Sequence, residues 1–222
     1  MGKSYNWSRY INKSLTIDFA AEKAKGNLSP INTINTIINN IDPKKIKTIL
    51  ELGCSAGIFC NAIKAAIRKE IVTYGIDNDT SSKKFSLLDR HYIGDVFNYK
   101  FKRKFDLVFS LGLIEHFNRR DREKLFTIHK NLSSRYIAIG FPNVSFSIRY
   151  IHIKLRDDLI GGNHHYYLSQ KEITELANKH NLKTLYFGYI SNYPTIQKLF
   201  RLHSTIKNKF FCDYFLGIYE KP

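Results

Sequence analysis

The sequence predicts an α/β fold built on a seven-stranded, mainly parallel sheet with an antiparallel last strand, and three observations carry that expectation. Strand-like and helix-like stretches alternate with short connections. The run FDLVFSL (105–111) is almost continuously apolar, as a central strand covered on both faces must be. In ILELGCSAGIFCNAIKAAI (49–67), an apolar strand ends at Glu51, breaks at Gly53 and Gly57, and restarts as a helix. Such a strand–loop–helix turn is where open α/β sheets hold ligands.

Each element has its own signal. Ser29 and Pro30 suit an N-cap and a first helical position, and Ile31, Ile34, Ile38 and Ile41 then fall on one helical face. A strand is expected at 47–52, followed by the glycine loop and a helix with Phe59, Ala62, Ile63, Ala66 and Ile67 along one side. IVTYGID (71–77) reads as a second strand ending in an acid, and YIGD (92–95) as a short third. FDLVFSL is the fourth, and RYIAIGF (135–141) the fifth. Between them RDREKLFTIHKNL places Leu125, Ile128, His129 and Leu132 at helical spacing. Residues 142–168 form a long insertion, a feature that tends to be functional in compact domains. Ser169 and Glu172 make an S-x-x-E capping box ahead of Ile173, Leu176 and Ala177. LKTLYFGYI and FFCDYFLGIYE complete the sheet, the second antiparallel because little chain remains for another crossover helix.

At 222 residues and 43% hydrophobic, the chain can bury one good core. No signal peptide or membrane span is legible, and Asn6 breaks the myristoylation pattern that Gly2 invites. Cys54, Cys60 and Cys212 are too few and wrongly spaced for a zinc site or a disulfide framework, which suits a reducing, cytoplasmic location. The formal net charge of +16 favours anionic partners: nucleic acid, acidic membranes or phosphorylated metabolites. It is unevenly spread. Residues 51–100 have a net charge of only +1, whereas residues 101–150 have +6.

The glycine loop discriminates between ligands. A phosphate-binding P-loop needs a G-K-[ST] ending, and no lysine is present. A dinucleotide site needs G-x-G-x-x-G, whereas the order here is Gly53-Cys54-Ser55-Ala56-Gly57. Glu51 would repel a pyrophosphate but suits a cation.

ELGCSAG resembles the first motif of the class I S-adenosylmethionine-dependent methyltransferases, E/D-x-G-x-G-x-G, with Ser55 in place of the middle glycine. The resemblance implies a Rossmann-like fold and S-adenosyl-L-methionine as cofactor, bound through Glu51, Gly53, Ser55 and Gly57. Asp77, with Asn78 beside it, matches the acid that holds the ribose hydroxyls, and Asp95 in GDVF matches the residue near the adenine amino group. Val96 would add an apolar contact and a backbone amide, and Ser110 and Leu111, at the end of the fourth strand, are further cofactor-binding candidates. FDLVFSLGLIEHF resembles the fourth-strand motif of small-molecule methyltransferases, including those of quinone biosynthesis. One domain is then expected over 1–222, with an N-terminal cap (1–46), a cofactor-binding half (47–141), a cap insertion (142–168) and a C-terminal helix and strands (169–222).

Methyl transfer to oxygen or nitrogen requires alignment and, for a hydroxyl acceptor, removal of a proton. His116 is a candidate base or a cofactor-lining residue; Glu115 is its orienting partner or a helix-start acid. A Glu-His dipeptide offers too few ligands for a metal site, and none is expected. His164, in GGNHHYYLS, follows the Pro142-Asn143 landmark of many small methyltransferases and is a third catalytic candidate. Arg119, Arg120, Arg149 and Arg156 are the cations expected nearest the acceptor. The chain lacks the N/D-P-P-Y motif of enzymes that methylate exocyclic base nitrogens, and has no cysteine near the fourth strand for a cytosine-C5 mechanism. The leading expectation is therefore O-methylation of a small polar acceptor, with phosphorylated and nucleotide- or sugar-type molecules included. RNA is the alternative acceptor, and a non-catalytic binding subunit of the same fold is the second alternative.

Overall fold

The strands are apolar where they are covered from both sides, so the sheet forms the middle of a three-layer sandwich. The structure is a computed structural model and describes residues 29–142, 166, 168–191 and 212–222. Its helices are α1 (Ser29–Asn39), α2 (Ile58–Ile67), α3 (Arg119–Leu132) and α4 (Gln170–Lys179). Its strands are β1 (Thr48–Leu52), β2 (Val72–Asp77), β3 (Arg90–Ile93), β4 (Phe105–Leu111), β5 (Ser133–Pro142), β6 (Lys183–Ser191) and β7 (Cys212–Glu220). They form one sheet in the order β3-β2-β1-β4-β5-β7-β6. β1 to β5 are mutually parallel, and β7 runs antiparallel to both β5 and β6. The expected antiparallel last strand is therefore present, inserted between β5 and β6.

Side chains alternate across the pleat and sort the core into two clusters. Leu50, Leu52, Val108, Ile137 and Ile139 face α3 and α4, where Leu125, Phe126, Ile173 and Ala177 meet them. Ile49, Leu107, Phe109 and Ala138 face α1 and α2, against Ile34, Ile37, Cys60 and Ile63. β4 lies at the centre of the order and is buried on both faces, as its apolar run requires.

Several details depart from the sequence expectations. On α1 the buried stripe is Ile34 and Ile37, with Ile41 buried just past the helix end, so Ile37 belongs to it and Ile31 and Ile38 are only half-buried. On α2 Ala66 is exposed, and Cys60, omitted from the expected face, is fully buried. β3 spans 90–93 rather than 92–95. It pairs with β2 only as far as Asp77, and the Gly94 amide then donates to the Asp77 carbonyl, which turns the chain away. β5 begins at Ser133, directly after α3. Among the described residues no helix is long and apolar enough to cross a membrane.

Candidate cofactor site

The strand order reverses between β1 and β4, and open α/β sheets bind ligands in the crevice beyond the carboxyl ends at that point. The glycine loop, Asp77, the turn at 95–98 and the segment 110–116 all lie at that edge, because they follow β1, β2, β3 and β4 respectively.

The loop turns on three left-handed residues: Gly53 (φ 69°), Ser55 (φ 47°) and Gly57 (φ 77°). At Gly57 an added Cβ would lie 2.3 Å from Leu88 Cγ, so both the backbone conformation and the packing demand glycine. Ser55 tolerates its positive φ at a cost of about 1 kcal/mol. Against that cost its amide donates to Asp77 Oδ2 at 2.7 Å, a charge-assisted bond. The Asp79 amide donates to Asp77 Oδ1 at 2.9 Å. Both oxygens of Asp77 are thereby oriented, and each retains a second lone pair for a ligand hydroxyl.

Glu51 lies beneath the loop rather than in the crevice. It is 3% exposed, and its Oε2 accepts from the Cys60 amide at 3.3 Å. The helix N-cap, Gly57, has no capping side chain, so Glu51 satisfies one of the open N–H groups of α2 from the preceding strand. Burial, together with the charge of Asp77, raises its carboxyl well above the usual range, against the lowering effect of the Cys60 amide.

Asp95 is exposed and caps its own turn: Oδ1 accepts from the Phe97 amide and Oδ2 from Asn98 Nδ2. Val96 is half-buried against the cluster on the α3 face. Leu111 packs against the cluster on the opposite face, and Asn78 is exposed beyond the end of β2. Ser110 points away from the crevice. Its hydroxyl lies 3.0 Å from His129 Nε2, and His129 Nδ1 lies 2.8 Å from the Leu125 carbonyl. A carbonyl only accepts, so Nδ1 carries the proton and Ser110 donates to Nε2. Burial lowers the His129 pKa to about 4, against the raising effect of the Leu125 carbonyl, and keeps the ring neutral.

Glu115 and His116 lie in a single 3-10 turn (Ile114–His116) after β4. Glu115 is 2% exposed and His116 half-buried. Leu113, just before them, lies 2.9 Å from where a Cβ on Gly53 would be, so this turn roofs the glycine loop. His164, Arg149 and Arg156 lie outside the described residues. Arg119 is drawn outward by Glu175 (3.6 Å) on α4, and Arg120 is exposed.

Two contributors were absent from the sequence reading. Leu88 packs over Gly57 and Gly75, and the Leu87 amide closes on the Ala56 carbonyl, so segment 86–88 clamps the loop from outside. Arg122, 2% exposed, donates through Nη1 to Glu172 (3.1 Å) and through Nη2 to the Tyr166 carbonyl (2.9 Å). The Tyr166 amide donates to the Glu115 carbonyl at 2.9 Å. The chain at 166 is thus pinned between α3 and the Glu115 turn. Its only sequence signal was the capping box: Ser169 does accept from the Glu172 amide, while the Glu172 carboxylate turns to Arg122.

The site's unsatisfied atoms suit a polar, hydroxyl-bearing cofactor. Ser55 Oγ, Asp79 Oδ2 and Ser81 Oγ are buried without a partner among the described residues; the Ser55 and Asp79 amides bond the Asp77 carboxylate, and the Ser81 amide bonds Asp79 Oδ1. Buried polar atoms of that kind cost stability unless a ligand satisfies them.

Comparison with known proteins agrees with this geometry. The chain matches the family described as "Methyltransferase domain" over residues 14–186. Its fold is similar to a SAM-dependent methyltransferase from Archaeoglobus fulgidus, with a TM-score of 0.67, 15% identity, and coverage of 91% of this chain and 98% of that one. It is similar to the N-methyltransferase NodS from Bradyrhizobium japonicum in complex with S-adenosyl-L-homocysteine (TM-score 0.62, 12% identity, 98% and 100% coverage). It is also similar to the magnesium protoporphyrin IX methyltransferase from Synechocystis with bound SAH (TM-score 0.61, 12% identity, 100% and 90% coverage). A comparison with curated protein sequences finds no match. With the family match spanning most of the chain and the sheet order and glycine loop as described, the protein belongs to the class I S-adenosylmethionine-dependent methyltransferases.

Proposed function

We propose that the crevice between β1 and β4 holds S-adenosylmethionine through the glycine loop and Asp77, and that the Glu115–His116 turn faces a small polar acceptor whose hydroxyl is methylated. The observation that carries the reading is Asp77: a carboxylate at the end of β2, with both oxygens oriented by backbone amides, suits a vicinal diol. When bound, the cofactor supplies an electrophilic methyl group on a sulfonium.

The chain's own residues do the remaining work. Asp77 accepts from the ribose hydroxyls. Ser55 Oγ, unpartnered among the described residues, offers a further polar contact. Leu113 and Leu88 close over the loop and exclude water. His116 accepts the acceptor's hydroxyl proton at a ring nitrogen, and Glu115, buried next to it, favours the imidazolium that forms. The pinning of residue 166 against the Glu115 carbonyl holds this turn in place. The high net charge supports an anionic acceptor, phosphorylated or nucleotide- or sugar-type; it also supports RNA as the alternative acceptor.

Two variants test the reading separately. Asp77→Ala should weaken S-adenosylhomocysteine binding in calorimetry by about 1.5–3 kcal/mol, at least roughly tenfold. Identical binding by that variant would remove the cofactor assignment. His116→Ala should leave that affinity nearly intact while lowering turnover by about 10²–10⁴ in a panel of small hydroxyl acceptors with labelled cofactor. Normal turnover by it would remove the base, and a wild type that binds cofactor but methylates nothing would favour the binding subunit.

A further inference from the structure

Because β1 to β5 are parallel, everything that feeds their starts gathers at the amino edge of the sheet, opposite the cofactor crevice. Lys69 precedes β2, Lys47 precedes β1, and Lys102 and Lys104 precede β4. Lys130 ends α3, which runs straight into β5, and Lys221 follows the antiparallel β7 back to the same edge. In sheet order these cations form a row across β2, β1, β4, β5 and β7, a span of about 19 Å at the usual interstrand spacing.

Most acids of this edge are engaged; among the described residues the exception is Glu70, exposed next to Lys69, which offsets that lysine's charge. Asp42 pairs with Lys45, Asp89 with Lys64 and Glu220 with Lys183. The Asp106 carboxylate accepts from the Lys47 and Thr48 amides and from the hydroxyls of Thr48 and Ser134. Among the described residues none of the six cations in the row has an ion-pair partner, whereas Lys124, Lys171 and Lys179 on the outer helices do. Burial lowers the proton affinity of Lys221, and the charges of Lys104 and Lys130 beside it lower it further. Lys221 Nζ donates to the Lys130 and Ser133 carbonyls at 3.2 Å, which holds it among those like charges.

We propose that the amino edge is a docking surface for the phosphodiester backbone of an RNA strand, separate from the methyl-transfer site. A row of cations tracks a linear polyanion and gains free energy by counterion release without base contacts. Among the described residues the one large apolar side chain that stands exposed at the start of these strands is Val72 (36%). That leaves little to insert into a bilayer, which disfavours an acidic membrane as occupant. β4 is seven residues long, so the row lies about 20 Å from the crevice, and an RNA strand held there is not presented to the methyl group. The proposal therefore stands whichever acceptor the enzyme uses.

The test compares two triple variants of the full chain, using fluorescence anisotropy with a labelled 20-nucleotide poly(U) RNA between about 50 and 250 mM salt. Lys47→Gln/Lys102→Gln/Lys104→Gln removes three charges from the row. Lys83→Gln/Lys84→Gln/Lys171→Gln removes the same charge elsewhere. The first should bind RNA at least roughly tenfold more weakly and flatten the log–log salt slope by about 2. The second should stay within about twofold of wild type on both measures. S-adenosylhomocysteine affinity, read by calorimetry, should be unchanged in both, which shows an intact fold and keeps this result independent of the cofactor assignment. Equal losses in the two variants, an unaffected first variant, or a wild type that binds phosphatidylserine vesicles but not the RNA would each overturn the proposal.

Discussion

At the carboxyl ends of β1, β2 and β3 the acids are held by protein amides, whereas at the amino ends of β1 and β4 Lys47, Lys102 and Lys104 have no ion-pair partner among the described residues. The same parallel strands thus present two kinds of surface. Glu51, Asp77 and Asp95 each accept from at least one backbone N–H, so their remaining lone pairs point in set directions. The lysines keep flexible stems in water and lose that entropy only on contact. An oriented carboxylate selects a ligand by geometry. A loose row of ammonium groups selects only by charge, and salt screens it.

The largest effect should come from disturbing the orientation at the carboxyl end. Gly57→Val forces a β-branched side chain into a left-handed residue and into the space of Leu88. It should destabilise the fold by on the order of 3 kcal/mol in urea denaturation and abolish S-adenosylhomocysteine binding. An equally bulky change at an exposed amino-edge position, Lys102→Leu, should cost less than about 0.5 kcal/mol. Similar costs at the two sites would erase the contrast.

An intermediate effect sharpens the comparison by separating edge charges from a buried one. The folded pKa of His129 lies at about 4, below its ordinary 6.5, so the unfolded chain binds more protons between those values. The stability that His129 confers is complete above pH 6.5 and is lost as the pH falls towards 4. From pH 7 to pH 5 the wild type should lose about 2 kcal/mol through this group. Glu51, raised by burial, acts in the opposite sense, so the measurement that isolates His129 is the difference in slope between wild type and His129→Gln. Parallel stability–pH curves for the two proteins would show that the ring does not stay neutral.

The smallest effect concerns Ser110, at the carboxyl end of β4 yet facing α3. Ser110→Ala should cost about 1 kcal/mol in stability, because it removes the donor to His129 Nε2. S-adenosylhomocysteine affinity should remain within about twofold, since the hydroxyl does not face the crevice. A tenfold loss of affinity would return Ser110 to the ligand and break the division between the two faces of β4.

The sheet was legible because its signals are local. A buried strand must be apolar, a left-handed loop residue prefers glycine, and a helix needs a cap; FDLVFSL, Gly53 and Gly57, and Ser169 each carry such a requirement in a few adjacent residues. The third strand was displaced by two residues because its end is set by pairing with β2, a contact between segments far apart in the chain. Ser110 shows the same limit. Its position after a central strand says that it is near the crevice, but the pleat decides which face it takes, and the partner that holds it lies 19 residues away on α3.

By itself, then, the sequence determined the order and kind of the elements, the glycine loop and the acids at strand ends, because each is imposed by backbone sterics or burial within a short stretch. The tertiary structure decided what those residues meet. It placed Glu51 under α2 as a cap, joined Asp77 to the Ser55 amide across two loops, and brought Arg122 to Glu172 and Tyr166 across 50 and 44 residues. It also brought Lys47, Lys104 and Lys221, scattered along the chain, to one edge of the sheet. Hydrogen bonds and like-charge crowding act through space at a few ångströms, and only the register of the parallel strands sets which distant residues come that close.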